Sequence, residues 1–172
     1  GKYLDCTFGG GSYSKELLKF PNTKIIAFDR DERVLDIADN LKKQFENRFK
    51  FYHNKFSNID QIPISGVDAV IFDLGISSIQ LNDLSRGFSF KSKDRLDMSM
   101  GLASTSAQEV LNDVDQNDLK MILKIFGEEK EASIIAKNII KVRSIKKLKS
   151  VNELVDIIEE SKKKNFKKKI NL

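Results

Sequence analysis

The sequence is short of the residues that mark secreted, membrane-spanning and disordered proteins. It has one cysteine, two prolines and nine glycines in 172 residues. The single cysteine, Cys6, cannot form an internal disulfide, which favours a reducing, intracellular setting. No run of about 18 apolar residues is present, and no basic stretch followed by an apolar one opens the chain. We therefore predict neither a membrane span nor a signal peptide, and one globular domain or a domain and a half.

Charge is unevenly distributed along the chain. Residues 137–172 hold twelve of the 30 Lys/Arg and four of the 25 Asp/Glu, which leaves 18 basic and 21 acidic side chains in the first 136 residues. A basic C-terminal part indicates a polyanionic partner. A solvated face of lysines is the alternative interpretation.

The first half alternates predicted strands, at 3–7, 24–28, 48–52 and 67–72, with predicted helices at 13–20 and after a cap at Asp31. This repetition implies a parallel sheet with right-handed crossovers. A long segment without clear periodicity, 76–100, separates it from helices predicted at 115–126, at 128–142 and after capping boxes at Ser106 and Ser150. The predicted fold is α/β, a partial Rossmann-like parallel sheet in strand order 3-2-1-4 with an inserted helical domain. The predicted boundaries are 1–76, 77–100 and 101–172.

A glycine-rich turn, Gly9-Gly10-Gly11, links the first strand to the first helix. Glycine lets the backbone pass close to a ligand, and a strand–turn–helix of this kind holds nucleotide-like cofactors. Asp29 ends the second strand, where nucleotide-binding folds place an acid on a ribose diol. The alternative is that Asp29 caps the next helix, for which Asp31 is better placed.

Two further candidates follow strands four and three. In strand order 3-2-1-4, Asp73 faces the glycine turn across the ligand crevice, unless it is a solvated acid at a strand end. The flat side chain of Phe56 suits an adenine ring, although ordinary core packing explains it nearly as well. His53 is the only histidine, and no further ligands stand at metal-site spacing, so we predict no metal site.

The loop at 86–95 mixes aromatic and cationic residues: Arg86, Phe88, Phe90, Lys91, Lys93 and Arg95. Phenylalanine stacks on unpaired bases, and arginine and lysine contact phosphates. The alternative is a loop whose phenylalanines anchor it to the core.

Several blocks of sequence together resemble the MraW family. They are DCTFGGG at 5–11, AFDRD at 27–31, FDLGISS at 72–78, QL at 80–81, RGFSF at 86–90, LDMSM at 96–100 and GEE at 127–129. That family comprises class I S-adenosylmethionine-dependent methyltransferases that act on a cytosine N4 amine of small-subunit ribosomal RNA. The resemblance implies this cofactor, an rRNA partner, and a cytoplasmic location, mitochondrial in a eukaryote. It also implies that 1–76 binds the cofactor, 77–100 forms a substrate or cofactor loop, and 101–172 recognises RNA.

The resemblance implies a set of cofactor-binding residues: Gly11, Ser12, Tyr13, Asp29, Phe56, Asp73 and Gln80. It points to no general base, and we assign none. This chain has Ser12-Tyr13 where the family usually has Gly-His, and Ile79 where it usually has proline.

The resemblance further implies strands beyond strand four, which this sequence does not contain. Strand four is then an uncovered apolar edge, so we expect poor solubility or a homodimer. The lysines at 146–169 are expected to contact rRNA phosphates. Two rival functions stay open: a dinucleotide-dependent oxidoreductase, which shares the glycine turn and Asp29, and a catalytically inactive RNA-binding fragment.

Overall fold

The computed structural model describes residues 1–102 and 105–170, with the side chains of residues 164–170 left undescribed. The described residues form two compact units. The first, here called the sheet unit, comprises residues 1–81 and 100–102. The second, the helical unit, comprises residues 82–99 and 105–170. No helix within these ranges is long and apolar enough to cross a bilayer.

The sheet unit is built on four parallel strands in the order β3-β2-β1-β4. The strands are β1 (Lys2–Asp5), β2 (Lys24–Asp29), β3 (Phe49–His53) and β4 (Ala69–Ile71). Helices α1 (Ser12–Leu18) and α2 (Leu35–Gln44) provide the first two crossovers, and a 3₁₀ segment (Phe56–Gln61) lies between β3 and β4. The predicted α/β class and strand order are confirmed.

The central strands are buried on both faces, which is why they read as continuous apolar runs. On β2, Ile25 and Ala27 pack in a cluster with the α1 and α2 side chains, whereas Phe28 packs in a second cluster with Leu4 and Cys6. Successive strand residues point to opposite faces, so each cluster covers one face.

Burial, aided by the charge of Asp5, raises the pKa of the Cys6 thiol to about 11, so this side chain is a neutral thiol in the core.

Strand β4 is shorter than the predicted 67–72 and lies at an edge of the sheet. It pairs only with β1, and no other described strand borders it. Val70 and Phe72 are therefore about half exposed. The ends of the other three strands lie within two residues of the predictions.

The helical unit contains α4 (Ala107–Asp113), α5 (Gln116–Ile125), α6 (Ala132–Arg143) and α7 (Val151–Ile170). Both predicted capping boxes are present. Ser106 and Glu109 bond reciprocally at α4, and at α7 the Glu153 amide donates to Ser150 Oγ while Glu153 Oε2 accepts from the Ser150 amide. Helix α6 begins four residues later than predicted, because Glu128 has a φ of +49°, which no right-handed helix accepts.

The segment 76–100 has more regular structure than the sequence indicated. It contains a short helix, α3 (Ser78–Asn82), and a 3₁₀ turn (Leu84–Arg86). Neither is long enough to show a hydrophobic period, which is why both escaped prediction.

Candidate functional site

The glycine turn between β1 and α1 is fixed by its own backbone and by Phe8. The Phe8 amide donates to the carbonyl of Phe28 at 3.0 Å, and the Gly11 amide donates to the carbonyl of Phe8 at 2.7 Å. Gly11 has a φ of +73°, and a Cβ there would lie 2.8 Å from the Phe8 ring. Glycine is thus required at this position by both backbone conformation and space.

Asp29 holds the same turn from the end of β2. Its Oδ2 accepts from the Gly9 amide at 2.7 Å and its Oδ1 from the Asp31 amide at 2.9 Å. The cap is Asp31, whose Oδ1 accepts from the Arg33 amide at 3.1 Å at the start of the 3₁₀ turn (Glu32–Val34) that leads into α2. The capping alternative for Asp29 is therefore excluded, and its carboxylate lies at the site.

A cavity of about 460 Å³ opens at the carboxyl ends of the strands, wholly within the sheet unit. Six of the seven predicted site residues line it: Ser12, Tyr13, Asp29, Phe56, Asp73 and Gln80. Gly11 is not among the lining residues, although its neighbour Gly10 is. The strand order explains this convergence, because the carboxyl ends of β1, β2 and β4 meet at one edge.

Asp73 and Phe56 both border the cavity, and each also contacts another part of the sheet unit. The Asp73 amide donates to Thr7 Oγ1 at 2.8 Å, which ties the end of β4 to the end of β1, and its carboxylate is exposed at the cavity. Phe56 is 39% exposed and packs edge-on against Phe72, with ring centroids 5.3 Å apart. Phe56 is thus neither a core residue nor free of contacts, and one part of its ring borders the cavity.

Gln80 is buried, and both ends of its amide are used within the protein. Its Oε1 accepts from the Ser77 amide at 3.0 Å, and its Nε2 donates to Asp31 Oδ2 at 2.9 Å. This pair of bonds braces the chain after β4 against the 3₁₀ turn that precedes α2. A direct contact between Gln80 and a cofactor stays a prediction.

A buried carboxyl beneath the turn was not singled out in the sequence. Asp5 is fully buried, its Oδ2 accepts from Ser14 Oγ at 2.7 Å, and its Oδ1 accepts from the Thr7 amide at 3.3 Å. Burial raises the pKa of Asp5, the bonds from Ser14 and Thr7 lower it, and the charges of Asp29 and Asp73 raise it further. The one signal for Asp5 was a polar residue at the end of an apolar strand, directly before the turn.

A second feature missed from the sequence is a contact between Arg30 and the returning segment 100–102, here called the Arg30 clamp. Arg30 Nε donates to the carbonyl of Met100 at 2.9 Å, and the Leu102 amide donates to the carbonyl of Arg30 at 3.2 Å. Between them Gly101 has a φ of +51°. Because Met100 lines the cavity, the clamp fixes part of its wall. His53 Nε2 lies 3.1 Å from the same Arg30 carbonyl oxygen, which gives this histidine a structural contact.

The basic C-terminal helix is partly neutralised by acids of its own unit. Lys162 pairs with Glu129 at 2.7 Å and Lys163 with Glu159 at 3.3 Å. The predicted phosphate contacts from Lys164 onward lie outside the described side chains.

Comparison with known proteins gives a consistent result along the chain. The sequence model of the MraW methylase family matches residues 1–172. The ribosomal RNA small subunit methyltransferase H of Orientia tsutsugamushi (strain Ikeda) is 40% identical over 161 residues, 92% of this chain and 52% of that protein. The protein of the same name from Clostridioides difficile (strain 630) is 38% identical over 168 residues, 94% of this chain and 54% of that protein.

Among solved structures, an rRNA-methylase from Clostridium thermocellum aligns with a TM-score of 0.37 and 23% identity, over 44% of this chain and 43% of that one. The chain spans about half the length of the curated relatives that it matches. Since the family model matches the chain from its first residue to its last, the chain belongs to the MraW methylase family.

Proposed function

We propose that this chain carries the S-adenosylmethionine-binding part of a methyltransferase that modifies a cytosine N4 amine in small-subunit ribosomal RNA. The observation that carries the proposal is the cavity at the carboxyl ends of β1, β2 and β4. It brings together an open glycine backbone, two strand-end acids and an exposed aromatic edge.

The glycine turn and Asp29 fit the nucleoside part of this cofactor. Gly10 lines the cavity, and a Cβ built on it would meet nothing within 4 Å, so its backbone is open to a ligand. Each oxygen of Asp29 accepts one backbone amide and keeps a second lone-pair site, so the carboxylate retains capacity for a ribose diol. Phe56 offers the exposed part of its ring to the adenine.

The charge of the cavity fits the sulfonium group that follows the nucleoside. Three acids, Asp29, Asp31 and Asp73, line the cavity beside two cations, Arg30 and Lys55, so the acids are in excess and a positively charged sulfonium group is attracted there. When bound, S-adenosylmethionine supplies an electrophilic methyl group. The side chains of the sheet unit bind and orient it, and the Arg30 clamp holds the Met100 wall in place.

The chemistry of a cytosine N4 amine sets requirements that the protein must meet before the methyl group can be transferred. The lone pair of a cytosine N4 amine is delocalised into the ring, so hydrogen-bond acceptors must localise it while the amine is held in line. Positioning of this kind contributes on the order of 7–11 kcal/mol at best, and the base must first leave its stack. We assign Asp73 to the cofactor, as the family resemblance implies, and assign no general base.

Support for ribosomal RNA as the substrate comes from the names of the relatives. Those proteins are about twice as long as the matched segment, so activity of this chain by itself is part of the proposal.

A homodimer and a cytoplasmic or mitochondrial location stay predictions. Sedimentation equilibrium tests whether the chain forms a homodimer.

The test begins with cofactor affinity, measured by calorimetry on the wild-type chain and on Asp29→Asn. Charge-assisted hydrogen bonds contribute about 1.5–3 kcal/mol each, so we expect S-adenosylmethionine to bind at least about tenfold more weakly to the variant. Asp39→Asn is the matched control, because Asp39 is an exposed acid on α2 outside the cavity lining. Equal affinity of Asp29→Asn and wild type would remove the ribose assignment.

Two further measurements separate the rival functions. An oxidoreductase binds NADH more tightly than S-adenosylmethionine, so a preference for NADH contradicts the proposal. Transfer of a labelled methyl group to small ribosomal subunits, mapped to cytosine N4, tests the reaction itself. Cofactor binding without any transfer favours the inactive fragment.

A further inference from the structure

Two basic segments that are far apart in the sequence lie side by side in the helical unit. Arg95 and Ser150 form an antiparallel bridge, the Leu96 amide donates to the carbonyl of Lys149 at 3.1 Å, and the Val151 amide donates to the carbonyl of Asp94 at 3.1 Å. The end of the loop, residues 94–96, is therefore paired with residues 149–151, where the connection between α6 and α7 meets α7.

The cations of both segments are exposed and flank buried residues. Ser92, Leu96 and Leu148 are each at most 1% exposed, whereas the basic residues beside them face solvent. These exposed cations are Lys91, Lys93, Arg95, Lys147 and Lys149.

These five cations have few acidic neighbours. Asp94 is exposed between two of them, and Glu153 pairs with Lys146 at 2.8 Å. Within the described part of the chain none of the five makes an ion pair. The lysines of α7 differ, since Lys162 and Lys163 each lie against a glutamate. The paired segments therefore hold a cluster of cations whose charge no salt bridge offsets among the described side chains.

One aromatic side chain adjoins these cations and is held out from the protein. Phe90 is 76% exposed. Its loop is braced, because Ser92 Oγ donates to the carbonyl of Leu84 at 2.6 Å and Arg86 lies over the Phe88 ring at 5.2 Å. Gly87 has a φ of +76°, and a Cβ there would lie within 2.4 Å of the Arg95 carbonyl oxygen, so the loop backbone rests directly on the cationic segment.

We propose that Phe90, Lys91, Lys93, Arg95, Lys147 and Lys149 form one surface that binds single-stranded RNA. The cations contact successive phosphates, and Phe90 stacks on an unpaired base, the combination that single-strand binding proteins use. Lys147 and Lys149 belong to the region 146–169 that the sequence predicted as the phosphate contact, and the surface adds the loop cations to them. Lys162 and Lys163, whose charge is partly neutralised by glutamates, are not part of it. That the RNA is ribosomal rests on the proposed function, whereas binding to single-stranded RNA does not.

The first test is the salt dependence of binding to a fluorescein-labelled, cytidine-rich RNA of twelve nucleotides, measured by anisotropy without cofactor. Each phosphate contact contributes about 0.7 to the slope of log K against log salt for single strands. We expect the slope to fall by about 2 in the triple variant Lys93→Gln, Arg95→Gln, Lys147→Gln. The matched control, Lys120→Gln, Lys162→Gln, Lys163→Gln, removes the same charge and should keep the wild-type slope. Equal slopes in the two triple variants would overturn the proposal.

The second test concerns the aromatic contact. Stacking of one base on an aromatic side chain contributes about 1–3 kcal/mol, so Phe90→Ala should weaken binding roughly 5- to 150-fold with an unchanged salt slope. Phe126→Ala is the control, because Phe126 is 83% exposed in the same unit but lies at the end of α5. Equal effects of the two variants, tighter binding of duplex RNA, or equal competition by poly-glutamate would each contradict the proposal. Since no cofactor is present, these outcomes are independent of methyl transfer.

Discussion

The Arg30 clamp provides the sharpest test of how the cavity wall is held. Gly101 packs so closely on the first residue after β2 that a Cβ would lie 1.7 Å from the Arg30 carbonyl oxygen and 2.9 Å from the Cα of Asp31. Both neighbours are backbone, so neither can rotate away. In Gly101→Ala the segment must therefore move off Arg30 rather than adjust in place.

The size of the effect follows from the two hydrogen bonds that the movement breaks. They run from Arg30 Nε to the Met100 carbonyl and from the Leu102 amide to the Arg30 carbonyl. A hydrogen bond contributes about 0.5–1.5 kcal/mol net, so detachment costs about 1–3 kcal/mol. We expect the Leu102 amide to exchange with solvent roughly 5- to 150-fold faster, measured by NMR. Affinity for S-adenosylmethionine should fall as well, because Met100 lines the cavity.

Gly66→Ala is the matched control for this substitution. Gly66 also has a positive φ, +63°, but a Cβ built on it meets nothing within 4 Å. The alanine in Gly66→Ala therefore incurs the cost of a left-handed backbone, about 1–2 kcal/mol for a residue other than glycine, but it does not overlap with any neighbouring atom. We expect its Leu102 amide to exchange at the wild-type rate. Wild-type exchange of Leu102 in Gly101→Ala would refute the clamp.

Two other substitutions test the buried acid and the second capping box. Ser14→Ala removes the hydroxyl that donates to the fully buried Asp5, so the free energy of unfolding at neutral pH, measured by urea denaturation, should fall by about 1–3 kcal/mol; an unchanged value would contradict the role of this bond. Lys146 and the Lys149 amide lower the pKa of Glu153 from 4.5 to about 2, so its stabilising contribution is present above pH 4.5 and is lost as pH falls towards 2. Glu153→Gln should therefore flatten the pH dependence of the melting temperature between those values, and a slope identical to that of the wild type would contradict the assignment.

The sheet and most of the site could be predicted from the sequence because each depends on short-range patterns. Strands β1 and β2 are buried on both faces, so their apolar runs are continuous. Once the strands are ordered, the carboxyl ends of β1, β2 and β4 must meet. Asp29 and Asp73 stand at two of those ends, and both line the cavity.

The features that escaped prediction join residues distant in the sequence and leave no periodic trace. Arg30 and Met100 are 70 residues apart, and the Arg95–Ser150 bridge spans 55. Nothing in the composition of 91–96 or 146–151 indicates that the two segments pair. The sequence therefore predicted a basic loop and a basic C-terminal part as separate regions, and the structure joins the first of them to the start of the second.

The structure also explains why the turn accepts Ser12-Tyr13, where the family resemblance leads us to expect Gly-His. The three glycines before them meet separate demands. Gly9 needs a φ of +49° with its amide on Asp29, Gly10 leaves its backbone open to the cavity, and Gly11 packs against the Phe8 ring. Ser12 already begins α1 in ordinary helical conformation and is exposed at the cavity. Glycine is not sterically required at position 12. The departure from the family pattern therefore changes the lining of the cavity and leaves the shape of the turn intact.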